Sequence, residues 1–269
     1  MYRDILVHMD GHAAARNRLQ FSIDLARRTG ARLTGLHVRP PVDVEPVLLA
    51  QLDEAVEQRA ANLETQARAA AEAFDSELGQ SAEASWLSLD GDVVDGVCRC
   101  AAFADLVIIG QYEQQPPAQR HPLPVAHSII LHSGRPVLVV PPEHACVLLR
   151  RVAISWDRTR EAVRAVHDAM PLLLSADSID IVATKAVDGD SAAALAQHLS
   201  NHGCSPLPKV VLPKPQGESE HALWDIILSG DHNLLVMGGS SHPTWHEFLF
   251  GGVTRSILME SKIPVLAAV

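Results

Sequence analysis

The chain has 269 residues, 47% of them hydrophobic and 20% charged, and a formal net charge of −10. That is a globular composition, large enough for one big domain or two of about 130 residues each. It excludes two classes of partner: no apolar run approaches the roughly 18 residues a membrane-spanning helix needs, and the acidic balance offers no electrostatic footprint for nucleic acid. Aromatics are only 4%, so the cores must be aliphatic. Ile5-Leu6-Val7 follows directly on Met1–Asp4 with no long apolar leader, so a cytoplasmic location is expected.

Strands are predicted at 5–9, 32–38, 85–89, 106–109 and 137–140. They alternate with helices near 13–29, 47–78, 93–103 and 125–132. The long second helix is read from Leu48, Leu52, Val56, Leu63, Ala67 and Phe74, which recur near helical spacing between Pro46 and Gly79. Then Pro141-Pro142 punctuates the chain. Beyond it, strands are predicted at 152–155, 178–183, 209–212, 234–237 and 265–268. Their helices fall near 160–174, 191–201, 220–229 and 253–261. In the 191–201 helix, Ala193, Ala194, Leu195 and Leu199 are expected to face the core. Apolar strands alternating with helices imply a parallel sheet covered on both faces.

The second half repeats the first. Asp4–Asp10 is matched by Arg151–Asp157, and Asp105–Gly110 by His232–Gly238. Arg135-Pro-Val-Leu is matched by Ile263-Pro-Val-Leu. Gly110 and Pro136 lie 26 residues apart, as do Gly238 and Pro264. The fold class is therefore α/β in two tandem units, each an open parallel five-stranded sheet flanked by helices, over residues 1–144 and 150–269. The terminal strands 137–140 and 265–268 are wholly apolar, and apolar edges must be paired or covered. They are expected to pair with each other, making the chain an intramolecular pseudo-dimer, with a further homodimer left open.

In an open parallel sheet, ligands sit beyond the carboxyl ends of strands where the strand order reverses. Asp157 and Gly238 are placed at such ends. Gly238-Gly239-Ser240-Ser241 is followed by Gly251-Gly252-Val253-Thr254 and a helical segment. Small residues expose backbone N–H groups, and a helix N-terminus favours an anion. Ser240, Ser241 and Thr254 add hydroxyls. This is a phosphate cradle without a lysine. The alternative is that the glycines serve only the turns.

The same frame in the first unit puts Glu113 at the Ser241 position and Leu123-Pro124 at Gly251-Gly252. Glutamate repels phosphate, and proline has no N–H to donate. The first unit is expected to have lost the site.

These residues resemble the universal stress protein family in its tandem two-domain form. The family carries Gly-x2-Gly-x9-Gly-(Ser/Thr) after the fourth strand. Here the frame is Gly238-x2-Ser241-x9-Gly251-Gly252, with the spacing kept, Ser241 in place of a glycine and Gly252 in place of Ser/Thr. The resemblance implies a stress-response protein that binds ATP or AMP, with or without Mg²⁺, in its second unit. Asp157 would meet the ribose and adenine, and Ala183 would lie by the adenine. Gly238, Ser240, Ser241, Gly251, Gly252, Val253 and Thr254 would hold the phosphates. It implies at most a slow ATPase; no catalytic residue is assigned. A scaffold or interaction module without nucleotide stays open as the alternative.

Other constellations carry less. His242 and His246 are four apart, but Pro243 and the neighbouring glycines argue for a loop, and no third ligand is evident although Glu247 is adjacent. Cys98, Cys100, Cys146 and Cys204 form no metal-like or redox pair. Asp92 and Asp95 read as charges at a helix N-terminus. Trp156 and Trp245 flank the site in sequence, as packed side chains or as covers for a base.

Overall fold

The computed structural model describes residues 1–10, 14–41, 53–78, 83–111, 125–143, 149–183, 189–205, 207–211, 232–239 and 252–269, with backbone alone at 53–56 and 252–255. In chain order the first half contains β1 (Asp4–His8), α1 (Ala14–Thr29), β2 (Arg32–Arg39), α2 (Asp53–Leu78), β3 (Ala84–Asp90), α3 (Val93–Ala101), β4 (Leu106–Gly110), α4 (Val125–His132) and β5 (Val137–Val140). The second contains β6 (Arg151–Trp156), α5 (Arg160–Asp168), α6 (Met170–Leu173), β7 (Ser178–Ala183), α7 (Gly189–Asn201), β8 (Lys209–Val211), β9 (Leu234–Gly238), α8 (Gly252–Glu260) and β10 (Val265–Ala268). The helix predicted at 220–229 lies outside the described residues.

The ten strands among the described residues join one sheet in the order β3-β2-β1-β4-β5-β10-β9-β6-β7-β8. Every neighbouring pair is parallel except one: β10 runs antiparallel to β5, with Leu266 opposite Leu138. The expected pairing of the two apolar terminal strands is thus the seam of the molecule. Both strands are fully buried. The edges fall instead to β3 and β8, whose side chains are mostly half-buried or exposed.

The alternation of side chains along each strand sorts the core into two layers. Ile5 and Val7 face one layer, Leu6 the other; Leu138 and Leu266 face the first, Val137 and Val265 the second. The first layer takes Leu19 of α1, Phe74 of α2, Ala165 of α5, Leu172 of α6 and Leu195 of α7. The second takes Val97 of α3, Ile129 of α4 and Ile257 of α8. Both layers run continuously across the seam.

Local chemistry explains the helix ends. Asp92 caps α3 and accepts the Asp95 N–H at 3.0 Å. Thr159 caps α5 and accepts the Ala162 N–H at 3.2 Å. Gly30 and Gly134, following α1 and α4, take the left-handed conformation that ends a helix.

Two expectations need correcting. The helix expected over 160–174 is broken after Asp168, because Pro171 opens α6 and supplies no N–H to continue the first ladder. In α7, Ala193 and Ala194 are exposed, and Ala192, Leu195, Ala196 and Leu199 are buried. Leu195 and Leu199 thus face the core as expected, and Ala192 and Ala196 take the places expected for Ala193 and Ala194, a difference that the alanine run conceals.

The long α2 docks through its C-terminal half. Residues 57–62 are exposed, whereas Ala70, Phe74 and Leu78 are buried. Phe74 lies over Gly35 of β2, where a Cβ would stand 2.5 Å from its ring, and 5.2 Å between centroids from Trp86 of β3. The absent side chain at Gly35 therefore makes the seat for Phe74.

Several bonds tie the halves together beyond the seam. The Tyr2 hydroxyl donates to the Asp168 carbonyl at 2.7 Å, and Gln111 Nε2 to the Ser261 carbonyl at 3.0 Å. Burial, and then the Asp168 and Asp105 carboxylates, push the Tyr2 pKa far up. An unfolded tyrosine ionises near pH 10, so the folded chain holds this proton more tightly than the unfolded one. The stability contributed is intact below about pH 10 and is lost as pH rises above it. Urea midpoints measured between about pH 9 and about pH 11 should fall more steeply for the wild type than for Tyr2→Phe; equal slopes would remove Tyr2 as the cause.

Candidate functional site

The strand order reverses twice. In the first half β2 and β3 lie on one side of β1, and β4 and β5 on the other; in the second, β7 and β8 flank β6 opposite β9 and β10. The crevices are therefore beyond the carboxyl ends of the β1/β4 and β6/β9 pairs. Asp10 and Gly110 stand at the first, Asp157 and Gly238 at the second. The sequence-predicted pair is thus brought to one switch point.

Asp157 is exposed just past β6. Its Oδ1 accepts the Thr159 N–H at 2.9 Å and the Thr159 hydroxyl at 2.6 Å. This tight turn holds Arg158 at φ 61°, where a non-glycine residue costs of order 1 kcal/mol. The turn sets α5 directly behind the carboxylate. A Cβ on Gly238 would meet the Ala162 nitrogen at 2.7 Å, so the first turn of α5 rests on the end of β9. A Cβ on Gly239 would meet Ile130 and Val269, each at 2.8 Å. Packing thus requires both glycines.

Ala183, at the end of β7, is buried beside Trp156 in register. Trp156 is itself packed, its indole N–H donating to the Ser191 hydroxyl at 3.1 Å. It does not stand free over the crevice. Helix α8 begins at Gly252 and includes Val253 and Thr254 in its first turn. Ser240, Ser241 and Gly251 lie outside the described residues, as do Glu113, Leu123, Pro124, Trp245, His242, His246, Glu247 and Cys146.

The first-half crevice holds a residue that the sequence frame overlooked. Arg18 of α1 is 3% exposed. Its Nε donates to the His8 carbonyl at 2.9 Å, and its Nη2 pairs with Asp10 at 2.8 Å. A Cβ on Gly110 would fall 1.9 Å from its Nη1. The guanidinium therefore covers the end of β4 and engages the aspartate at the end of β1. Counting eight residues from Asp10 and from Asp157 gives Arg18 and Ala165; the second half has a methyl group at the corresponding place. The signal was present: Arg18 sits in the stripe Ala15, Leu19, Ser22, Ile23 and Ala26, which is the buried face of α1.

Burial raises the thiol pKa values of Cys98, Cys100 and Cys204, with Asp95 and Asp92 adding to the effect at Cys98. Raised values disfavour thiolate chemistry. Among the described residues, no group of three His, Cys, Asp or Glu is placed to hold a metal ion, and no helix is long and apolar enough to cross a membrane.

Comparison with known proteins agrees with this architecture. The model of the universal stress protein family matches residues 1–141. No curated protein matches the chain. A universal stress protein from Archaeoglobus fulgidus DSM 4304 superimposes with a TM-score of 0.74 at 14% identity, over 98% of this chain and 95% of that one. A functionally unknown protein from Pseudomonas aeruginosa PAO1 gives 0.59 at 14% identity, over 98% and 92%. At such identities the likeness is one of fold. The family match covers more than half of the sequence, and the chain belongs to the universal stress protein family.

Proposed function

We propose that this chain is a tandem universal stress protein, acting in a stress response, that binds an adenine nucleotide (ATP or AMP) in its second half alone. The observation that carries the proposal is the inequality of the two switch points. At β1/β4 a buried guanidinium neutralises Asp10 and covers Gly110. At β6/β9 the matching residue is Ala165, and Asp157 keeps an exposed carboxylate. A ribose hydroxyl can donate to that carboxylate. Gly252, Val253 and Thr254 open α8, whose N-terminal N–H groups suit phosphate, and Gly251 precedes them in the sequence. Ser240 and Ser241, earlier in the sequence, would add hydroxyls. Mg²⁺, where present, would be held by the phosphates. Residues 1–144 and 150–269 are the two proposed domains, in a cytoplasmic protein; the chain performs no more than slow ATP hydrolysis.

A second reading, an interaction module without nucleotide, is favoured by one set of contacts. Gly238 and Gly239 are required by packing, the Asp157 carboxylate is engaged by Thr159, and Ala183 is buried. Each of these residues thus has a structural role of its own. Calorimetric titration with ATP and AMP, with and without Mg²⁺, separates the readings. The proposal expects binding by the wild type and at least a tenfold loss in Gly251→Glu, whose carboxylate would oppose the phosphates (about 1.4 kcal/mol per tenfold). Absence of heat in the wild type supports the interaction module. Equal affinity in both proteins places the nucleotide elsewhere.

A further inference from the structure

We infer that a cavity between the two halves is a second binding site, for a small amphipathic anion: a carboxylate or phosphate group on an aliphatic body. The cavity measures about 910 Å³ and draws its walls from both halves. That lies within the size range of small-molecule sites, which favour the junctions between structural units. Its floor is apolar, built from Tyr2, Leu25, Pro136, Leu149 and Leu172. Its rim carries Arg28, Arg135, Arg150 and Arg164.

Four guanidiniums around one cavity are unexpected in a chain of net charge −10. Their pairing strengthens the point. Arg150 is matched by Asp177 at 2.8 Å. Among the described residues, Arg28, Arg135 and Arg164 have no carboxylate partner. Arg135 donates to the Ala102 carbonyl at 2.9 Å, and Arg164 to that of Gly134 at 3.4 Å. Carbonyl acceptors orient a guanidinium without neutralising it. A low-dielectric wall beneath such a rim concentrates its field.

The two acidic residues in the lining set the direction of the ligand. Asp105 is held by backbone, its Oδ2 accepting the N–H groups of Arg3 at 2.7 Å and Asp4 at 3.1 Å. Asp168 has a buried Oδ2 with no hydrogen-bond partner. These carboxylates repel an anion from the inner wall. The headgroup therefore belongs at the arginine rim and the aliphatic body against the floor. The cavity is separate from the β6/β9 crevice, so the inference does not rest on the nucleotide reading.

The test is calorimetry on the full chain with octanoate, octyl phosphate and octanol, each with and without saturating ATP. Both anions are expected to bind at least about tenfold more tightly than octanol, because guanidinium–anion bonds are charge-assisted. The ratio of octanoate to octyl phosphate affinity assigns the headgroup. ATP is expected to leave these affinities unchanged. Arg28→Gln combined with Arg164→Gln should weaken anion binding about tenfold or more. Both residues are exposed, so the variant should keep the wild-type urea midpoint. Octanol binding as tightly as the anions, no heat from either anion, displacement by ATP, or an unchanged affinity in the folded double variant would each overturn the inference.

Discussion

Replacing Leu266 by aspartate should destabilise the protein by more than about 4 kcal/mol, the largest effect expected of any single substitution considered. Leu266 stands opposite Leu138 in the one antiparallel pair of the sheet, and both are 0% exposed. An aspartate there would be a buried carboxylate with no cation beside it in the surrounding apolar core. It would also interrupt a core layer shared by the two halves. Leu266→Ala should cost less, about 2–5 kcal/mol, since it removes packing without adding charge. Urea denaturation measures both effects. Limited proteolysis should show cleavage between residues 143 and 150 rising in the aspartate variant. Equal midpoints for wild type and Leu266→Asp would mean that the halves do not depend on this seam.

Phe74→Ala should cost about 3–5 kcal/mol. Phe74 is 1% exposed and is the largest buried side chain of α2. Removing it empties the space over Gly35 and ends the contact with Trp86. The helix is otherwise fastened by Ala70, Leu78 and surface pairs such as Arg16 with Glu77 at 2.6 Å. Exposed pairs of this kind contribute at most about 1 kcal/mol each. The expected readout is a lower urea midpoint, faster amide exchange along 57–78, and altered tryptophan emission from Trp86. Protection of α2 unchanged from wild type would show that the helix is held by something other than Phe74.

The fold was largely legible because its signals are local. Runs such as Leu106–Ile109 and Val137–Val140 carry no polar alternation, which a doubly covered strand does not need. The 26-residue frame from Gly110 to Pro136 recurs from Gly238 to Pro264, and β4/β5 and β9/β10 are each neighbouring strands in the sheet. The seam followed from the apolar character of the last strand in each half. The pattern is degenerate in two places: Ala192–Ala194 gives no contrast between faces, and Pro171 divides a helix whose apolar residues continue on both sides.

The site was legible only in part. Asp157 and Gly238 stand at the carboxyl ends of the neighbouring strands β6 and β9, a placement that follows from strand assignment alone. The sequence reads Gly238 and Gly239 as exposing backbone N–H groups, and their missing side chains also accommodate α5, Ile130 and Val269. A glycine shows that something comes close without saying what. The closure of the first half was expected at Glu113 and Leu123-Pro124, but Arg18 supplies a contact of its own. An arginine on the buried stripe of a helix is a mark of such a role, since burial demands an acceptor for its charge.

The claim that the two switch points are unequal is tested most directly by photo-crosslinking with 8-azido-ATP followed by peptide mapping. The account predicts that the label falls in peptides from residues 150–269, is competed by ATP, and is unchanged by Arg18→Ala. Label confined to residues 1–144, around Asp10 and Arg18, would contradict it, as would the absence of any ATP-competed label.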